Sequence, residues 1–82
     1  MRIAVLGAGA WGTALAIAFA RRHQVTLWAR NRDQVEAMAA KRENTRYLND
    51  CPFPVEMRLQ VDYRQAMSDA DLFLLASPLS GL

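Results

Sequence analysis

Apolar residues in this chain fall in short runs that switch between two periodicities. Ile3-Ala4-Val5-Leu6 is a continuous apolar run closed by Gly7, the pattern of a strand buried on both faces of a parallel sheet. Residues 13–20 are almost wholly apolar, with Ala14, Ala16, Ala18 and Ala20 alternating with Leu15, Ile17 and Phe19. Period 2 favours a strand here, but the helix propensity of alanine and the cations Arg21 and Arg22 at the C-terminal end predict a buried helix instead. Residues 24–29, carrying Val25, Leu27 and Trp28, predict a second strand and complete a βαβ unit.

Further along, Asn31 is placed to cap a second helix with Gln34 three residues on, and Val35, Met38 and Ala39 fall on one face at helical spacing. That helix fades over residues 41–43, and Asn44, Asn49, Asp50, Pro52 and Pro54 predict a loop. Residues 55–62 alternate apolar and polar, which predicts a third strand with one covered face, suited to a sheet edge. Asp62 and Gln65 repeat the capping arrangement, and Tyr63, Ala66, Met67 and Ala70 form the apolar face of a third helix. After Asp71, residues 72–76 form another fully apolar strand, stopped by Ser77-Pro78. The order β-α-β-α-β-α-β predicts an α/β fold with a doubly wound parallel sheet.

Composition narrows the setting. With 82 residues, 52% hydrophobic and 22% charged, the chain is too apolar for a disordered segment and fits at most one small domain. Ten Lys and Arg against eight Asp and Glu leave a net charge of +2 spread along the chain, too weak a field to predict nucleic acid as a partner. Cys51 is the single cysteine, so no intramolecular disulfide is expected, no metal site can be assembled at suitable spacing, and a reducing, cytoplasmic setting fits. His23 reads as a solvated residue at a helix end and Cys51 as an inert loop or core thiol. The stretch 1–20, ending Ala18-Phe19-Ala20, superficially matches a secretory signal. Gly7, Gly9 and Gly12 interrupt it and another strand begins at once, so it is read as part of the fold. No run reaches the roughly 18–20 apolar residues of a membrane span.

The chemistry lies at the first turn. Gly7-Ala8-Gly9-Ala10-Trp11-Gly12 is G-x-G-x-x-G directly after a predicted strand and opening a predicted helix, the context in which this motif binds a dinucleotide. The first glycine allows the tight turn, the second lets a pyrophosphate approach the backbone, and the third lets helix and strand pack closely. Free amides at the helix N-terminus then face the phosphates. No Gly-Lys-Ser/Thr occurs, which excludes a Walker loop. At the end of the second strand stands Arg30 where an acidic residue would accept from the ribose of NAD. Its planar fork suits a 2'-phosphate, with Arg32 close enough to add charge, so NADP is expected in preference to NAD.

The run Gly7 to Ala16, with its Trp11-Gly12-Thr13, resembles the fingerprint of bacterial NAD(P)-dependent glycerol-3-phosphate dehydrogenases. Val25-Thr26-Leu27-Trp28-Ala29-Arg30, Arg42-Glu43-Asn44-Thr45-Arg46-Tyr47-Leu48 and Ala70-Asp71-Leu72 extend the likeness over essentially the whole chain. The glycines alone are shared with ketopantoate reductases and other dehydrogenases; the tryptophan-glycine-threonine and the residues 44–48 are the specific part.

The resemblance implies the N-terminal part of a Rossmann-type cofactor domain over residues 1–82. It also implies cofactor contacts at Ala10, Trp11, Arg30, Asn31 and Tyr47, besides the loop residues Gly7, Ala8, Gly9 and Gly12. Ala10 stands where many members carry serine, and Asn31 where a second basic residue is frequent. A packing role for Trp11 and a loop-anchoring role for Tyr47 are the competing readings. The implied reaction is reduction of dihydroxyacetone phosphate, a triose phosphate, to sn-glycerol 3-phosphate for glycerophospholipid synthesis. In the family, later lysines hold substrate and move protons, whereas Lys41 is the only lysine here and falls on the wrong helix. The chain by itself is therefore expected to bind dinucleotide and to lack catalysis, the rest of the sheet and a helical substrate domain being expected beyond Leu82. The last apolar strand then offers an exposed edge that can pair with another copy. A free-standing nucleotide-binding module and a related reductase remain as alternatives.

Overall fold

The computed structural model describes residues 1–48 and 51–76. Its elements are β1 (Arg2–Leu6), α1 (Ala10–Ala20), β2 (Gln24–Trp28), α2 (Arg32–Lys41), β3 (Arg58–Gln60), α3 (Tyr63–Ser68) and β4 (Leu72–Leu75). The four strands form one parallel sheet in the order β3-β2-β1-β4. Strand order moves one way from β1 to β3 and then reverses to β4, so right-handed crossovers place α1 and α2 on one face and α3 on the other. The reversal beside β1 is the topological switch point of a Rossmann-type sheet, where ligands bind at the carboxyl ends of the strands.

Register explains the core. Ile3 lies beside Val25 and Val5 beside Leu27, so these four side chains share one face of the pleat. Against them pack Ala16 and Ala20 of α1, Met38 of α2, and Phe53 and Met57 from the connection to β3. The buried positions of α1 are Gly12, Thr13, Ala16 and Ala20. This row of small residues at four-residue spacing, with Thr13 beside it, lets the helix lie close on the sheet, while the larger Leu15, Ile17 and Phe19 are only half-buried. The alternation of small and large residues thus belongs to a helix, as propensity required.

Three expectations change. The predicted strand over 55–62 shrinks to Arg58–Gln60, and Val55 is 94% exposed. Its backbone is used otherwise. Met57 N–H donates to the Pro54 carbonyl in a tight turn, and the Arg42 guanidinium donates to the carbonyls of Pro54, Val55 and Met57 at 2.8, 3.3 and 2.9 Å. Second, α3 ends at Ser68 with only Ala66 buried, so Ala70 lies beyond it and Tyr63 is exposed; Ala39 of α2 is likewise exposed. Third, His23 is not solvated: its ring is half-buried 6.5 Å from that of Phe19, and Nδ1 is enclosed without a partner among the described residues. Asn49, Asp50 and the Ser77-Pro78 stop lie outside the described residues.

Other features follow the sequence closely. Asn31 Oδ1 accepts the Gln34 N–H at 3.1 Å and Asp62 Oδ1 accepts the Arg64 N–H at 2.9 Å, so both predicted caps form. Asp71 holds the start of β4 against β1, its carboxylate accepting the Arg2 N–H at 3.0 Å while its own N–H donates to the Arg2 carbonyl. β3 is one edge of the sheet, and β4 the other among the described residues, with Leu72, Phe73 and Leu75 exposed. No helix of the described residues is long and apolar enough to cross a membrane.

Arg42 ends α2 in the left-handed region, φ 55°, a conformation that costs a non-glycine residue about 1 kcal/mol or more. It is held there by the three carbonyls and by the Phe53 ring 5.7 Å from its guanidinium carbon. Charged hydrogen bonds of this kind outweigh the backbone cost. In urea denaturation of the intact protein carrying this chain, Arg42→Ala is expected to lose about 2–3 kcal/mol, and Arg42→Gly about 1 kcal/mol less because the strain is relieved. A Gly variant more stable than the parent would show that the guanidinium contributes nothing.

Candidate functional site: an electropositive cleft at the strand carboxyl ends

β1 stops at Leu6 because the chain must turn there. Gly7 has φ 124°, a conformation closed to L side chains, and its N–H donates to the Trp28 carbonyl at 2.9 Å, tying the turn to the end of β2. Gly12, one turn into α1, sits on this corner: a Cβ there would overlap the Gly7 carbonyl oxygen and stand 3.0 Å from Ala76 Cβ. The helix therefore starts hard against the strand end. Gly9 is its N-cap, with extended backbone, no side-chain cap and no acidic residue in the first turn. Thr13 N–H is bonded back to the Gly9 carbonyl, so the N–H groups of Ala10, Trp11 and Gly12 have no partner within the helix. They form the positive end of its dipole, open for an anion.

Gly9 differs from its neighbours. A Cβ built on it meets nothing within 4 Å and its φ is −79°, so the protein itself does not require glycine there. What the missing side chain leaves is free approach to the turn from the cleft.

That cleft has a volume of about 870 Å³ and three walls: the glycine turn, the end of β2 with the start of α2, and the turn 44–48. Eight of the nine residues expected to contact a cofactor line it, namely Gly7, Ala8, Gly9, Ala10, Trp11, Arg30, Asn31 and Tyr47. Gly12 lies beneath the surface, buried between turn and helix. Trp11 is 67% exposed at the cleft's rim, which removes the reading of a core-packing aromatic. Tyr47 is 45% exposed, with the Arg46 guanidinium 5.3 Å from its ring centre. Arg30 and Arg46 are the charged side chains of the lining, and no carboxylate belongs to it among the described residues. The field in the cleft is thus positive. Arg32, exposed on the first turn of α2, and Cys51 are not part of the lining. A second cavity, about 500 Å³, lies under α3 toward the opposite end of the sheet and holds none of the motif residues.

Gln34, Asn44 and Arg46 also belong to this region, although none of them is among the expected cofactor contacts. The Gln34 amide, which a complete capping box would turn back on Asn31, instead donates to the Ala8 carbonyl at 3.0 Å. Asn44, only 1% exposed, donates to the same carbonyl and to Thr13 Oγ1, each at 2.8 Å. The sequence signal for Asn44 was its place in the specific 44–48 segment; its burial had none, because loop asparagines read as turn formers. No group of three or more His, Cys, Asp or Glu among the described residues could hold a metal ion.

Residues 2–82 match the family model for the N-terminus of NAD-dependent glycerol-3-phosphate dehydrogenase. The chain belongs to this family. Over its full length it is 55% identical to glycerol-3-phosphate dehydrogenase (NAD(P)+) of Aromatoleum aromaticum and 51% identical to that of Thiobacillus denitrificans, spanning 25% of each. A crystal structure of glycerol-3-phosphate dehydrogenase from Coxiella burnetii superimposes with a TM-score of 0.85 at 40% identity, over 90% of this chain and 23% of that one. The chain thus spans about a quarter of the length of these relatives. An NAD(P)-binding role for the family's N-terminus agrees with the glycine turn and the uncapped helix.

The two inner glycines separate folding from ligand access. Gly12→Ala is expected to destabilise the intact protein by roughly 3 kcal/mol in urea denaturation, because the clash is with backbone. Gly9→Ala is expected to change stability by less than about 0.5 kcal/mol while weakening NADPH binding at least about tenfold. Unchanged binding by Gly9→Ala would remove the turn from the site.

Proposed function

We propose that this chain forms the adenosine and pyrophosphate side of a dinucleotide site, with NADP preferred over NAD, in a cytoplasmic glycerol-3-phosphate dehydrogenase. The enzyme interconverts dihydroxyacetone phosphate and sn-glycerol 3-phosphate for glycerophospholipid synthesis. The observation that carries this reading is the uncapped, acid-free N-terminus of α1 opening into a cleft whose only charged lining residues, among the described ones, are Arg30 and Arg46. An anion with two phosphates is what such a surface stabilises. The names of the similar enzymes, glycerol-3-phosphate dehydrogenases (NAD(P)+), supply the reaction class.

Each residue then has a role. The amides of Ala10 and Trp11 donate to the pyrophosphate, and Gly9 leaves it room. The exposed indole of Trp11 and the ring of Tyr47 offer apolar walls to the dinucleotide. Arg30, exposed just past β2, takes the 2'-phosphate, and Asn31, whose Oδ1 is used by the α2 cap, keeps its amide group for the ribose. The bound nicotinamide supplies the hydride that the ketone accepts. Lys41, at the last position of α2, is outside the cleft lining, so these residues bind and orient, and proton transfer falls to other parts of the enzyme.

Oxidation of NADPH by the intact protein with dihydroxyacetone phosphate is the direct test, and its absence would overturn the assignment. Arg30→Asp is expected to weaken NADPH binding at least about tenfold while leaving NADH binding unchanged or improved, because one change removes the phosphate partner and installs a ribose acceptor. Equal losses for the two cofactors would overturn the NADP preference.

A further inference from the structure

One carbonyl joins the three walls of the cleft. The Ala8 oxygen accepts from Gln34 Nε2 of α2 at 3.0 Å and from Asn44 Nδ2 of the turn 44–48 at 2.8 Å. Ala8 itself belongs to the glycine turn and is buried. Asn44 is fixed from every side. Its second side-chain amide proton goes to Thr13 Oγ1 at 2.8 Å, its backbone carbonyl accepts from Leu48 N–H at 2.8 Å and Tyr47 N–H at 3.3 Å, and its backbone bridges to Leu48. Thr13, fully buried, is the residue whose N–H closes the first bond of α1.

A peptide carbonyl can only accept, so it is the amide nitrogens of Gln34 and Asn44 that must face Ala8. No cis peptide bond occurs among the described residues, and in a trans peptide the carbonyl and the next N–H point in opposite directions. Holding the Ala8 oxygen toward α2 and the 44–48 turn therefore sets the direction of the Gly9 N–H, at the cap of α1. Gly9 has no side chain of its own and no side-chain cap to fix this peptide.

We propose that Asn44 and Gln34 are positioning residues for the dinucleotide, fixing the Ala8 carbonyl and through it the phosphate-facing amides of the glycine turn. The proposal rests on the dinucleotide reading above. It adds that the same two side chains link the turn to the Arg30 and Tyr47 walls, so that phosphate and ribose subsites are set as one unit. The buried Asn44 and half-buried Gln34 donors act through orientation, since neither needs to touch the ligand.

The test uses the intact protein carrying this chain, with NADPH fluorescence titration, inorganic pyrophosphate as competitor, and thermal unfolding in parallel. Asn44→Asp and Gln34→Glu keep size but set an acceptor against the Ala8 oxygen. Asn44→Asp is expected to raise the NADPH Kd at least about tenfold and to weaken pyrophosphate competition by a similar factor, and Gln34→Glu by about threefold, because Asn44 still holds the carbonyl. A purely structural role would lower Tm and the binding-competent fraction while leaving Kd unchanged, and that result would overturn the proposal. Should Asn44→Asp not fold, the half-buried Gln34 decides: Gln34→Glu and Gln34→Leu with Kd values within about twofold of the parent would overturn it equally. A parent protein that binds neither NADPH nor NADH overturns the dinucleotide reading, and the proposal with it; a parent that binds both, with variants unchanged, overturns the proposal alone.

Discussion

The absence of a side chain at Gly12 is the constraint on which the rest of the site depends. With no Cβ there, α1 begins directly against the Gly7 carbonyl at the end of β1, and the axis of the helix is fixed relative to the sheet before any ligand is considered. From that contact follow the row of small residues packed on β1 and β2, the left-handed region at Gly7, and the exposure of the first amides of α1 at the strand carboxyl ends. A helix displaced outward by a single methyl group would carry its N-terminus away from the switch point. The close contact therefore both seats the helix on the core and gives rise to the binding surface.

Around that corner, polar side chains take over work that regular structure does elsewhere. Among the described residues between α2 and β3 no strand ladder forms, and Arg42 supplies donors to three carbonyls there, while Asn44 and Gln34 supply donors to Ala8 in the glycine turn. Buried backbone carbonyls need partners, and here they receive them from long side chains that also join separate segments. The same economy explains the left-handed Arg42: a glycine would adopt that backbone at no cost but would leave the 54–57 turn without its donors.

Much of this was legible in the pattern of residues. The type and order of all seven elements, both helix caps, the position of β3 at an edge and the cluster of eight cleft-lining residues followed from spacing alone or from family resemblance. The third strand was read too long because its alternation of apolar and polar residues was genuine, yet Pro54 and Arg42 diverted its first half into a turn. α3 was read too long because Ala70 continued the apolar face after the helix had stopped. The sequence places His23 at a helix end, where solvation is expected, whereas packing on Phe19 covers it.

The division has a simple physical basis. Strand runs, glycine offsets and caps are properties of residues one to four positions apart, where backbone geometry alone dictates who meets whom. The sequence by itself therefore determined the αβ alternation, the dinucleotide turn and the arginine that follows β2. Which carbonyl each buried amide would find was decided only in three dimensions: Gln34 and Asn44 reach Ala8 across 26 and 36 residues. No local pattern specifies such a meeting, because it exists only once α1, α2 and the sheet have packed and left one oxygen within reach of both.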